Sequence, residues 1–225
     1  MNAALYAKLP YDPVKDLRLL AHVSFNQFVF CVHAGVPVKT LQEFIALAKA
    51  KPGVINYASS GNGGSPHLAS AKLAHMAGLQ LVHIPYRTNG AAMTDLVAGR
   101  VEMMGTSISA MLPFIKSGQL RPLAVSGDKR SSLLPDVPTV AEAGVPGYSM
   151  KNWNGFAAPA GIPDRIALQI QRDIFAVFQN SKFVDQLVTQ GSEIELLAPD
   201  LFERRIKEEI ASWREVVRAS GAKID

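Results

Sequence analysis

Cysteine is nearly absent from this chain: Cys31 is the one example among 225 residues. A single thiol excludes an intrachain disulfide and leaves no second cysteine for a zinc site, so packing must hold the fold together. Cys31 lies in the apolar run FVFCV, where its simplest role is that of a small buried hydrophobe. Long hydrophobic runs are missing too. No stretch approaches the roughly 20 apolar residues of a membrane-spanning helix, and the opening MNAALYAKLPYDP has no basic segment followed by an apolar one, so nothing in these residues directs export. Charge of one sign is also scarce. Lys and Arg number 23 against 19 Asp and Glu, a net charge of +4, and the bases are scattered among the acids. That excludes the basic patch nucleic acid would need; small anions are permitted but not demanded. His22, His33, His75 and His83 stand apart with no zinc-ligand spacing, and no metal is expected.

What is present is a hydrophobic content of 48%, enough for one large core or two modest ones. Turn signals cut the chain into alternating strand-like and helix-like pieces. FVFCV reads as a strand. Thr40 with Glu43 forms a capping box for a helix carrying Leu41, Phe44, Ile45 and Ala48 and stopped by Pro52 and Gly53. INYAS reads as a strand, then Ser65 as an N-cap and Pro66 as the first helical residue of a helix ending at Gly78. LVHIPYR, NGAAMTDLVAG, VEMMGTS, SAMLPFIKSG and LRPLAVS continue the rhythm, which implies parallel βαβ units. From about Ser131 to Gly155 the pattern loosens into a long surface connection with one short helix near Val140. Two helices close the chain. One starts at Pro163 with Ile166, Ile170, Ile174 and Phe178 on a stripe; the other starts at Asp200 with Phe202, Ile206, Ile210, Trp213 and Val217, and both stripes read as core faces.

The stretch NYASSGNGGSPHLASAKLAHMAGL carries the chemistry. A strand, a glycine turn and a helix N-terminus make an anion site, because free N–H groups converge there and the helix dipole adds about half a positive charge. Gly61, Gly63 and Gly64 allow close approach, and Ser59, Ser60, Asn62 and Ser65 add side-chain donors. The motif alone is equally compatible with a tight βα turn that holds nothing. A P-loop would need Lys and then Ser or Thr after its last glycine, but SPH follows Gly64. The dinucleotide fingerprint fails at Pro66, and the next strand ends in Tyr-Arg instead of an acid, which disfavours NAD; Arg87 keeps NADP open. A carboxylate asks only for two or three N–H or O–H donors. Ser60 or Ser65 with His67 does not make a hydrolase, since there is no G-x-S-x-G elbow and helix geometry turns His67 from Ser65. His67 reads as a helix-start residue bonded to the loop.

Taken in order, LYAKLPYDPVKDLRLL, INYASSGNGGSPHLA, VHIPYR, MTDLVAGRVEMM, IKSGQLRPLAVSGDKRSSLLPDVPTVAEAGVPGY and WNGFAAPAGIP resemble the Bug family, the substrate-binding proteins of tripartite tricarboxylate transporters. The similarity runs from about Leu5 to the C-terminus, and the agreement of many blocks is more specific than any one glycine loop. The resemblance implies an α/β, two-lobe periplasmic binding protein type II fold with crossing strands, closing on a carboxylate. It implies a periplasmic, non-enzymatic protein with no cofactor that serves the membrane components of such a transporter. The loop at Ser59–Ser65 would be one arm of a carboxylate clamp. Relative to the family, the first lobe is expected to be incomplete at its N-terminus, which would leave apolar surface for self-association. Where the family often has an acid and an amide after the strand matching VEMM, this chain has MMGTSIS, which favours a plain acid.

These readings set the expectations. Residues 1–32 and 124–225 form the first lobe, and residues 33–123 form the second, with the strands near Phe28–Val32 and Leu123–Ser126 crossing between them. The ligand site comprises Ser59, Ser60, Gly61, Asn62, Gly63, Gly64, Ser65 and His67, with Arg87 and Thr88 at the end of the next strand and Thr106 and Ser107 at the end of the one after. Strand ends are where an open parallel sheet places ligands. The ligand is a small carboxylate: a di- or tricarboxylate or an aromatic acid. The rival is an NADP-binding Rossmann-like oxidoreductase.

Overall fold

The computed structural model describes residues 2–6 and 8–220. The chain opens with the single-turn α1 (Asn2–Leu5) and the long strand β1 (Leu17–Asn26). Then β2 (Phe28–His33), α2 (Leu41–Ala50), β3 (Asn56–Ser59), α3 (Ser65–Ala77), β4 (Val82–Pro85), α4 (Asn89–Val97), β5 (Met103–Ser107), α5 (Ile108–Lys116) and β6 (Leu120–Val125) alternate as the turn signals predict. After an irregular stretch come β7 (Asn152–Pro159), α6 (Asp164–Val177), α7 (Ser181–Thr189), β8 (Ser192–Leu197) and α8 (Pro199–Ser220).

Two compact units result, one holding the residues up to Asn26 together with Asn152–Val217, the other Gln27–Lys151. The chain therefore passes between units at 26/27 and 151/152. β2 and β6, the expected crossing strands, are hydrogen-bonded neighbours inside the sheet of the second unit.

The second unit is built on a five-stranded sheet of order β4-β3-β5-β2-β6. β3 runs parallel to β4 and β5, while β2 runs antiparallel to β5 and β6, so the expected parallel sheet carries one reversed strand. Both faces are covered, which is why β2 reads as an unbroken apolar run. Val29 and Cys31 point into a core with Ala58, Leu96, Met104 and Met111. Phe30, on the opposite face by the two-residue strand period, meets Tyr148 edge-on with centroids 6.0 Å apart, within the range of about 4.5–7 Å usual for such pairs. At the start of α2 the Thr40 hydroxyl accepts the Glu43 N–H at 3.2 Å, and Glu43 in return accepts the Lys39 N–H.

The stretch between β6 and β7 differs from expectation. Around Val140 there is a turn and no helix, closed by reciprocal bonds between Thr139 and Glu142. Leu134, Val140, Ala143, Val145, Tyr148 and Met150 are buried, and Thr139 bridges Val125. Proline and glycine suppress regular structure here without putting the segment in water.

The first unit has a three-stranded antiparallel sheet of order β7-β1-β8. α8 lays Phe202, Ile206, Trp213 and Val217 into its core as the stripe predicts. Gly155 on β7 gives Phe202 its place, since a Cβ there would fall 2.5 Å from the ring. His22 is fully buried on β1: its Nδ1 donates to the Glu195 carbonyl at 2.6 Å, and its Nε2 accepts from Arg205 at 3.1 Å. Arg205 also pairs with the Glu195 carboxylate. The two-helix ending is corrected to three helices with β8 between α7 and α8. The α6 stripe is only partly a core face: Ala167 is buried, Ile166 is exposed, and Ile170, Ile174 and Phe178 are half-buried.

Candidate functional site

β3, buried along Tyr57, Ala58 and Ser59, delivers the chain to the glycine turn at the carboxyl end of the sheet. Gly61 and Gly63 have φ of +120° and +72°, backbone that favours glycine. Helix α3 begins one residue earlier than the capping signal in the sequence suggests. Gly64 is the N-cap, with extended backbone, and its carbonyl accepts the Leu68 N–H at 3.0 Å; Ser65 is the first helical residue. Because a glycine N-cap has no side chain, it supplies no acceptor to the first-turn N–H groups, and an external anion can take that role. Asn62 is exposed, while Ser60, Gly61, Gly63, Gly64 and Ser65 are half-buried.

The loop is held from beneath. The fully buried Ser59 hydroxyl donates to the Gly61 carbonyl at 3.1 Å and accepts the Gly61 N–H at 3.2 Å. His67, 4% exposed, accepts the Gly63 N–H on Nδ1 at 3.0 Å, which realises its expected bond to the loop. His83, on the neighbouring strand β4, lies 2.6 Å from the Ser59 hydroxyl through Nε2. The two imidazoles are stacked, with centroids 3.8 Å apart and planes within 4°, and Tyr57 is nearly parallel to both. Burial lowers the pKa of His67; burial and then the charge of His67 lower that of His83 to about 4. Both rings are therefore neutral at pH 7.

His83 and Tyr57 were missed by sequence reasoning. The signal lies in strand register: Tyr57 pairs with His83 across parallel β3 and β4, and Ser59 shares a face with Tyr57 two residues on. The Ser59–His83 contact resembles a nucleophile and base, but Ser59 is sealed from solvent and already serves the Gly61 backbone. Among the described residues no group of three or more His, Cys, Asp or Glu is placed to hold a metal.

The other expected residues stand at the ends of the flanking strands, β4 and β5, on either side of β3. Tyr86 N–H bonds the Ser59 carbonyl at 2.9 Å, tying the end of β4 to the loop. Arg87 just beyond is exposed. Thr88 is exposed and uses its hydroxyl as the N-cap of α4, accepting the Ala91 N–H at 3.2 Å. Thr106 is buried and accepts from the Asn89 amide at 3.0 Å; Asn89, not foreseen, keeps a buried carbonyl oxygen without a partner in the structure. Ser107 is the N-cap of α5 with no side-chain cap bond. The structure thus braces the loop through bonds of Ser59 to Gly61 and of His67 to Gly63. It gives Thr88 and Thr106 structural bonds.

Comparison with known proteins adds to this geometry. The family described as "Tripartite tricarboxylate transporter family receptor" matches residues 1–222. A relative from Pseudomonas sp. (strain P51), the UPF0065 protein in the tcbD-tcbE intergenic region, is 33% identical over 213 residues, covering 94% of this chain and 63% of that protein. The chain thus spans less than two thirds of that relative's length. Rpa4515 of R. palustris, solved with adipate, is 29% identical with a TM-score of 0.85, covering 99% of this chain and 75% of its own. MatC (Rpa3494) of Rhodopseudomonas palustris, solved with bound malate, is 27% identical with a TM-score of 0.81, covering 96% and 74%.

Proposed function

The chain belongs to the tripartite tricarboxylate transporter receptor family, and from that premise we propose that it is a periplasmic solute-binding protein capturing a small carboxylate for such a transporter. Its α/β fold is that of periplasmic binding proteins. In this reading the ligand carboxylate sits at Ser59–Ser65, and the chain hands it to membrane components without catalysis. The observation that carries it is the N-terminus of α3: a glycine N-cap makes no side-chain cap bond, at the carboxyl end of β3, inside a loop already braced by Ser59 and His67. Two structural relatives hold adipate and malate, both dicarboxylates, and the reading takes a di- or tricarboxylate or an aromatic acid as the ligand class. The NADP alternative depended on Arg87 alone, which stands exposed on the turn after β4.

The test is an amide NMR titration of this chain with adipate, malate, citrate and benzoate. The expected result is a saturable shift at Asn62, Gly64 and Ser65 with at least one acid. Gly63→Val forces a β-branched residue into a φ of +72°, at a cost of about 1–3 kcal/mol of backbone strain, and should abolish the shift. An acid that binds both proteins equally would overturn the assignment of this loop.

A further inference from the structure

The support beneath the loop is itself titratable. His67 and His83 lie face to face at 3.8 Å, so two charges there would repel at contact distance. His67 holds the Gly63 N–H only while Nδ1 is bare. A proton on Nδ1 turns acceptor into donor and sets N–H against N–H, so ring and loop must part.

We propose that the His67–His83 stack is an acid-released latch on the glycine loop: with both rings neutral the loop keeps its anion-accepting shape, and protonation of His67 frees Gly63 and releases the ligand. The proposal rests on the carboxylate reading for its ligand, but not for the loop movement. Tyr57 from β3 faces the stack and is neutral, its pKa raised by burial. Ser59 is the other polar neighbour, and among the described residues no carboxylate pairs with either ring. On α3 itself, Lys72 reaches the Ser149 carbonyl and the Tyr148 ring.

The sign follows from burial. Both imidazoles bind a proton less readily in the folded loop than in an open one, where the ordinary value is about 6.5. The latch therefore contributes fully above about pH 6.5 and is lost as pH falls towards the depressed folded values, His83 reaching about 4. An imidazolium would also attract a bound carboxylate, which opposes release. That attraction is the weaker effect, because a charged His67 leaves its buried place for water, where it is screened, while collapse of the loop removes several N–H donors together.

The experiment follows the His67 and His83 ring resonances and the Gly63 amide from pH 7.5 to 4, alongside affinity for adipate and malate, in the wild type and in His67→Asn. Asparagine offers Oδ1 where Nδ1 stood and does not titrate. The expected result is that the Gly63 amide moves with the His67 titration, below pH 6.5, and that wild-type affinity falls about tenfold more than that of His67→Asn, the size of one lost hydrogen bond. Protonation of the acid itself affects both proteins alike. A Gly63 amide that stays put while His67 protonates, or parallel loss of affinity in both proteins, would overturn the latch. If His67→Asn does not fold, the wild-type titration decides alone. If ring and amide move together but neither acid binds at any pH, the latch stands and the carboxylate reading fails.

Discussion

β2 in the second unit is buried at five of six positions, whereas β7 in the first is exposed or half-buried along its whole length. The helices follow suit. α2 and α3 sink their apolar faces, with Phe44, Leu41, Leu68 and Leu73 fully buried, while α6 buries Ala167 and α7 buries nothing. Yet α6 is as clearly amphipathic as α2. A binary pattern states which face of a helix wants burial and does not guarantee that a partner is at hand to bury it. In the second unit both faces of the sheet are covered. In the first, Ile166, Leu168, Val177, Val188 and Phe156 remain open to solvent.

The strongest way to break this comparison is to truncate one apolar side chain in each unit. Leu96→Ala removes a fully buried side chain from a core cluster of the second unit and should cost about 2–5 kcal/mol. Ile170→Ala, on the half-buried α6 stripe, should cost clearly less than Leu96→Ala, since part of its area never leaves water. Urea unfolding monitored separately at Tyr148 or neighbouring probes in the second unit and at Trp153 in the first would measure both. Equal losses would mean the units are not packed as differently as their burial indicates.

The same contrast explains what could be read from sequence. The second unit is legible because its strands are β-branched or apolar runs, and its helices carry caps at Thr40 and Thr88 and a glycine stop at Gly78, whose φ is +64°. The carboxyl-end loop was found through its glycines. β7 was missed because NWNGFAAP has neither alternation nor β-branched residues, and its Gly155 serves Phe202 instead of a turn. β8, SEIELL, lies between the two helices read from the sequence and carries no turn signal that sets it off from them. The stack of His67 and His83 joins residues on different elements, and only the pairing of β3 with β4 brings them together. The cap of α3 slipped by one because Ser-Pro is a good opening by composition, while Gly64 has the backbone that precedes the first helical bond.

Open apolar side chains on α6 and α7 give a second, smaller expectation. The chain should self-associate in sedimentation runs as concentration rises, because exposed apolar surface of this kind is buried by contact with a copy. Leu168→Glu with Val177→Glu places charge on α6 where the side chains are already exposed, so the fold should survive and the association weaken. Association unchanged by the double variant would place the contact elsewhere; a strictly monomeric wild type would leave the contrast between units as one of packing alone.

The smallest effect belongs to Arg87. A charge-assisted hydrogen bond from its guanidinium to a ligand carboxylate would be worth about 1.5–3 kcal/mol if fully formed. The structure places Arg87 on the exposed turn between β4 and α4, beyond the Tyr86 anchor to Ser59. A guanidinium standing in water loses rotamer freedom when it engages a ligand and is screened by salt, so its net contribution falls to the range of a surface ion pair, about 0–1 kcal/mol. Arg87→Ala should leave stability unchanged within about 0.5 kcal/mol and weaken acid binding by less than about fivefold, with the difference fading at high salt. A larger loss that persists in salt would mean that ligand binding draws Arg87 out of solvent and onto the carboxylate, and that backbone N–H groups share the anion with it instead of carrying it.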